Sequence, residues 1–333
     1  MSRYPRTARP DAVKEAAASV VPPSGPPLFI AGPTAVGKSA AALALARQLG
    51  GEIIAVDSMQ VYRGLDIGTA KASAAERQQV RHHLVDVVDL TGTFDAAQFV
   101  RRARRAVADI EARRGVPVFC GGTGLYFKAY LEGLGATPPP EPSLRAELES
   151  TPLSELLAEL ERVDPATGAR IDPANRRRVV RAVEVVRLSG QPASVLRSAW
   201  SHPAAPGVTP APAPLFGLTR SAEDLRARIN RRVDAMFEGG LVDETEGLLA
   251  QGLERNRTAM QAIGYRQVVE HLRGVRSLEA TVLLVKQKTW QFARRQMTWF
   301  RRQLPVRWLE LSAETEPAVL ATQLAERWRN ATL

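Results

Sequence analysis

The eight residues Gly-Pro-Thr-Ala-Val-Gly-Lys-Ser at 32–39 limit what this chain can fold into more than any other stretch does. They satisfy G-x-x-x-x-G-K-[ST]. An apolar run, Leu28 to Ala31, precedes them, and a helix-forming segment, Ala40 to Gln48, follows. Strand, glycine-rich loop and helix in that order gather backbone N–H groups at a helix N-terminus, where they can cradle a phosphate. The loop predicts a polyphosphate site made of Gly32, Pro33, Thr34, Ala35, Val36, Gly37, Lys38 and Ser39. Lys38 would reach the phosphate oxygens, and Ser39 is the candidate ligand for Mg²⁺, the expected cofactor. The pattern alone does not distinguish ATP from another polyphosphate.

Two more apolar runs end in polar turns. Ile53 to Val56 stops at Asp57, and Val116 to Cys120 runs into Gly-Gly-Thr-Gly at 121–124. Between them, Phe99, Ala103, Val107 and Ile110 recur at helical spacing over 96–114, with Gly115 as a stop. This alternation predicts an α/β fold, a parallel sheet covered by helices, with all three polar turns at the carboxyl edge where ligands bind. Helices are expected at 222–249 and 281–302, and a last strand at 306–311. Proline-rich stretches at 138–142 and 203–214 bracket a segment rich in Leu, Glu and Arg. They predict an inserted all-helical domain at 138–214, a core made of 27–137 and 215–333, and a flexible arm at 1–26.

The formal net charge of +10 favours polyanionic partners, because each neutralised phosphate releases condensed counterions. Cys120 is the single cysteine, which excludes an intramolecular disulfide framework and a multi-cysteine zinc site. No apolar run approaches the roughly 20 residues that span a bilayer. The expectation is a cytoplasmic protein without a membrane segment.

Asp57, at a strand end in Asp-Ser-Met-Gln, can accept a proton from a nucleophile, hold Mg²⁺ through water, or cap its own turn. Thr123 can donate to a leaving-group oxygen or serve only the turn. Arg228 and Arg232 lie one helical turn apart and are candidates to clamp a diphosphate. Arg63 and Lys71 follow Asp57 in a glycine-containing loop that can close over a phosphate or grip RNA. In the last long helix Val285, Thr289, Phe292, Gln296 and Trp299 are expected to form one packed face. Lys286, Lys288, Arg294, Arg295, Arg301 and Arg302 flank it, a mixture of rings and cations suited to RNA. Arg176, Arg177, Arg178 and Arg181 form a denser cluster in the insertion, read as an RNA phosphate site.

The order and wording of these elements resemble the tRNA dimethylallyltransferase family. The matching stretches are GPTAVGKS at 32, DSMQVYRGLDIGTAK at 57, HHLVDVVD at 82, GGTGLYFKAYLEGL at 121, RVVRAVEVVRLSG at 178, RINRRVDAMFEGGLVDE at 228, QAIGYRQ at 261 and ARRQMTWFRR at 293. The resemblance implies a nucleotide-kinase-like P-loop core whose loop holds dimethylallyl diphosphate, and an insertion that embraces the anticodon stem-loop of tRNA. It implies Asp57 as general base and Thr123 and Lys38 beside the leaving group. It places Ser58, Met59, Gln60, Arg145, Arg177, Arg178, Arg181, Gln261, Gly264, Tyr265 and Arg266, with Asp57 and Thr123, against tRNA. A bacterial-type enzyme acting as a monomer is the expectation. Trp290 replaces an arginine usual in the family, and Val36 replaces a small residue of the loop.

Overall fold

The structure, a computed structural model, describes residues 25–134, 137–198 and 214–332. All but the last two residues of the expected arm, and most of the second proline-rich bracket, lie outside them. Six parallel strands build the sheet in the order β3-β2-β4-β1-β5-β6: β1 (Leu28–Ala31), β2 (Glu52–Val56), β3 (His82–His83), β4 (Pro117–Gly121), β5 (Leu215–Thr219) and β6 (Arg307–Glu310). The expected α/β class is the observed one.

β1 shows why the sheet is covered on both sides. All four of its residues are buried, with Phe29 and Ala31 in one apolar cluster and Leu28 and Ile30 in the other. A strand with period-2 side chains and no polar face must have helices on both surfaces. Helix α1 (Lys38–Leu49) follows β1 and buries Ala41, Ala42 and Leu45 against the Leu28 side. Helix α4 follows β4, in chain order after α2 (Ala74–Gln79) and α3 (Ala96–Ala112). It spans Gly124–Glu132 and packs Tyr126 and Phe127 on the Phe29 side. β1 and β4 are neighbours whose connections leave toward opposite faces, which opens a crevice at their carboxyl ends.

Among the described residues five helices lie between α4 and β5: α5 (Pro142–Ser150), α6 (Leu153–Val163), α7 (Pro165–Gly168), α8 (Arg176–Ser189) and α9 (Ala193–Ser198). Leu148, Leu156, Leu160, Val179 and Val183 form an apolar cluster of their own there, separate from the two that cover the sheet.

Two sequence expectations are corrected. The helix expected over 222–249 is two helices, α10 (Ala222–Glu238) and α11 (Leu241–Ala250), because Gly239 and Gly240 end the first and Gly240 takes φ 93°. That left-handed conformation is cheap only for glycine. After α12 (Tyr265–Leu272), helix α13 (Leu278–Gln303) buries Thr281, Val285, Ala293, Gln296 and Phe300, while Phe292 is exposed. The 3.6-residue period selects this stripe and leaves the expected Phe292 and Trp299 at its margins. Strands β3 and β5 were not anticipated. The last helix, α14 (Pro317–Thr332), packs on α1, and the Trp328 indole N–H donates to the Pro26 carbonyl at 3.1 Å.

Candidate functional site

The phosphate loop is shaped by three backbone choices. Gly32 and Gly37 take φ of 145° and 110°, and Ala35 is left-handed at 64° although it carries a Cβ. This alternation turns successive N–H groups toward one side, an anion-binding nest at the start of α1. The amides of Ala35, Val36 and Gly37 have no hydrogen-bond partner among the described residues, whereas Thr34 N–H donates to Gln296 Oε1 at 2.8 Å and Pro33 has none. Val36 is fully buried and acts in packing. Ser39 is exposed in the first turn of α1, and its hydroxyl has no partner among the described residues.

Lys38 is 9% exposed and folds back to donate to the Pro33 carbonyl at 2.6 Å. Burial lowers its pKa from 10.5 to about 8; the Asp57 carboxylate opposes the fall and the Arg232 guanidinium adds to it. The same burial pushes the Cys120 thiol up to about 11, so it stays protonated. Lys38, Asp57 and Arg232 thus share one electrostatic environment. Arg232 is itself desolvated, which lowers its pKa, and has no hydrogen bond or ion pair among the described residues.

Arg228 goes elsewhere. Its guanidinium bonds the Asp224 carboxylate at 3.0 Å and the Ala313 carbonyl at 3.0 Å. Of the two arginines one turn apart on α10, Arg232 is the one beside the loop. A third arginine escaped the sequence reading. Arg220, 8% exposed after β5, donates from Nε to the Val36 carbonyl at 2.9 Å and from Nη1 to Asp224 at 2.8 Å and to the Ser312 carbonyl. It braces the outside of the loop. Because β5 went unread, no sequence signal placed this residue next to residue 36.

The two other strand-end turns are tied to the loop and to each other. Asp57 Oδ1 accepts from Met59 N at 2.8 Å and Gln60 N at 3.3 Å, so this oxygen does cap the turn, while Oδ2 has no partner among the described residues. Thr123 Oγ1 accepts from Ser58 N at 3.1 Å, which leaves its own O–H free to donate. Gln296 spans the first and third turns: its Oε1 takes the Thr34 amide and its Nε2 donates to the Gly122 carbonyl at 3.0 Å. The sequence placed Gln296 on a packed face. A polar side chain on such a face requires buried partners, and that was the available signal.

The loop following Asp57 is not a free flap. Lys71 Nζ bonds the Tyr62 carbonyl, Asp66 and Asp86 at 2.5–2.6 Å, and Arg63 pairs with Asp89 at 2.7 Å. Gln60 Nε2 donates to the Thr69 carbonyl at 3.0 Å. Glu244 accepts from Ile67 N at 2.9 Å and from the Tyr265 hydroxyl at 2.6 Å. Lys71 is buried in holding this loop, whereas the Arg63–Asp89 pair lies at the surface; Tyr265 is fully buried as part of the same brace. Gly264 caps α12 with φ 106°.

The other candidates for RNA contact divide. Arg145 and Arg181 both bond Glu184, at 2.5 and 2.6 Å, and this carboxylate is completely buried. Arg176 reaches the Glu149 carbonyl at 2.8 Å and the Leu148 and Thr151 carbonyls, closing the end of α5. Arg266 pairs with Glu270 at 3.1 Å. Arg177 is exposed and bonds Gln261 Oε1 at 3.1 Å, joining α8 to the segment before α12. Arg178 lines an open cleft of about 800 Å³ with Arg294, Arg295, Trp299 and Arg302 of α13. Trp290 packs at the core margin with the Arg226 guanidinium 5.8 Å from its ring centre.

Comparison with known proteins places this arrangement. The sequence pattern of the family described as IPP transferase matches residues 60–303. A tRNA dimethylallyltransferase of Geobacter metallireducens is 46% identical over 299 residues, covering 89% of this chain and 95% of that protein. The full-length tRNA isopentenylpyrophosphate transferase of Bacillus halodurans superposes with a TM-score of 0.65 at 35% identity, over 92% of this chain and 98% of the other. A eukaryotic dimethylallyltransferase acting on tRNA gives 0.74 at 26% identity, over 90% and 77%. With that pattern covering most of its length, the chain belongs to the IPP transferase family.

Proposed function

We propose that this protein transfers a dimethylallyl group from dimethylallyl diphosphate to the exocyclic N6 amine of the adenine 3′-adjacent to the anticodon of tRNA. The observation that carries the reading is the Asp57 Oδ2, the Thr123 hydroxyl proton and the loop amides of Ala35, Val36 and Gly37, all without partners among the described residues, beside two cations, Lys38 and Arg232. A chain built for phosphoryl transfer to a small acceptor would not need the basic cleft between α8 and α13.

In the proposed reaction the N6 lone pair attacks the allylic carbon, the carbon–oxygen bond to the diphosphate breaks, and Asp57 Oδ2 takes the proton from nitrogen. Asp57 Oδ1, fixed by Met59 and Gln60, holds the carboxylate in place. The departing diphosphate gains charge, and the loop amides, Lys38, the Thr123 hydroxyl and Arg232 face that charge. Mg²⁺ would neutralise part of the diphosphate charge. Ser39 fits as its protein ligand, because its hydroxyl is exposed and unpartnered. No group of three or more His, Cys, Asp or Glu side chains forms a metal site among the described residues. That suits an ion that keeps waters and binds through substrate phosphates. Adenine in a single-stranded loop is extruded at little cost.

No described helix is long and apolar enough to cross a membrane. The protein is proposed to act in the cytoplasm as a monomer. The test is mass spectrometry of nucleosides from tRNA incubated with protein, Mg²⁺ and dimethylallyl diphosphate. Adenosine heavier by one five-carbon prenyl unit is expected. Phosphate transfer from ATP to a small acceptor, with tRNA unmodified, overturns the proposal.

A further inference from the structure

We infer that Gln296 is a positioning residue of the donor site, whose amide sets the distance between the phosphate loop and the Gly122–Thr123 turn. The inference rests on the diphosphate reading of the crevice. Its elements are three. The carboxamide is buried, 8% exposed, and both its ends are used: Oε1 receives Thr34 N–H at 2.8 Å and Nε2 reaches Gly122 O at 3.0 Å. Its two partners are far apart in sequence and belong to different strand ends, β1 and β4, which diverge beyond the sheet. A Cβ at Gly122 would lie 2.2 Å from Gln296 Nε2, so a side chain there would displace the carboxamide.

The geometry divides the loop's amides into two sets. Thr34 N–H is committed to the clamp, while those of Ala35, Val36 and Gly37 are free for phosphate. Arg220 holds the outside of the loop through the Val36 carbonyl, so the loop is gripped from both sides by side chains that themselves need not touch the ligand. Thr123 follows Gly122 directly and bonds Ser58 N, so a shift of the Gly122 carbonyl displaces the hydroxyl that faces the leaving group and the turn that carries Asp57. A carboxamide is suited to this role because one planar group presents an acceptor and a donor at fixed separation.

The test uses Gln296→Met, which keeps length and loses both bonds, Gly122→Ala, which pushes on the clamp from the other end, and the double variant. Each single change is expected to weaken inorganic pyrophosphate binding and lower kcat/KM for dimethylallyl diphosphate by about tenfold or more, since small misplacements at a reacting centre cost that much. tRNA affinity should stay within about twofold of the parent. In the double variant the losses should be far smaller than the product of the singles, because both break one clamp. Folding is checked by thermal unfolding; if Gln296→Met does not fold, Gln296→Asn, too short to span both partners, is measured instead. Unchanged pyrophosphate affinity in a folded variant, or losses that multiply in the double variant, overturns the inference. Pyrophosphate binding is read without turnover, so a parent protein that binds pyrophosphate but prenylates no tRNA counts against the proposed function and leaves the clamp to be judged on binding.

Discussion

Arg228 and Arg232 are equivalent by helical spacing and opposite by environment. Arg228 is paired with Asp224, a carboxylate it shares with Arg220, and Arg232 is desolvated near Lys38 without a carboxylate partner among the described residues. Arg232→Ala should therefore raise KM for the prenyl diphosphate by about tenfold to a hundredfold, in line with loss of a charge-assisted hydrogen bond of about 1.5–3 kcal/mol. Arg228→Ala should leave KM within about threefold and lower the unfolding temperature instead. Steady-state kinetics on both variants separates the two. Lys38 adds a pH dependence. Its folded pKa, about 8, lies below the ordinary 10.5, so the unliganded protein carries the cost of a buried ammonium below pH 8 and is relieved of it as pH rises toward 10.5. Pyrophosphate binding needs the ammonium and should weaken over the same rise. Taken as differences from Lys38→Met, stability and pyrophosphate affinity should therefore move in opposite directions above pH 8. Movement in the same direction would refute the assignment.

At the scale of elements, the strand, loop and helix at 28–49 were legible because local chemistry decides them: an apolar run, glycines where φ is positive, then helix formers. The division of 222–249 was less so, since two glycines within a helical pattern can be tolerated or can break it, and the packing of α11 on α12 decided. Two-residue β3 has too few positions to show any period. Charge was the least legible property. Arg176, Arg177, Arg178 and Arg181 read as one basic cluster, yet Arg176 closes α5 and Arg181 serves Glu184, which leaves Arg177 and Arg178 as the exposed pair of the four. A carboxylate at 184 with helical spacing from 181 was visible; its complete burial, and the arrival of Arg145 from α5, depend on the tertiary fold. Removing one partner of a buried ion pair is expensive. Glu184→Ala should destabilise the α5–α8 helices by about 3–5 kcal/mol, seen as early loss of hydrogen-exchange protection in 142–189 relative to the sheet.

Across the whole molecule, the basic cleft joins the helices of 142–198 to α13, and Arg177 bonds Gln261 across the same divide. Arg177→Gln with Arg178→Gln should weaken tRNA binding and flatten its dependence on salt by about 0.7 for each phosphate no longer neutralised, without raising KM for the prenyl diphosphate. Fluorescence anisotropy at several salt concentrations measures the slope; an unchanged slope would remove these residues from the interface.

The phosphate loop has a further consequence for how the protein is made. Its amino-acid signature is complete by residue 39, but the groups that hold it arrive late: Arg220 from behind β5 and Gln296 across 262 positions. At about 5–20 residues per second, a ribosome needs roughly 13–50 s to reach Gln296 after it has built Thr34. During that interval the nascent chain displays a nucleotide-binding motif that lacks both braces. The proposed grip on diphosphate would thus be withheld until synthesis is nearly finished, and a fragment ending before α13 would carry the motif in its sequence without the Gln296 clamp.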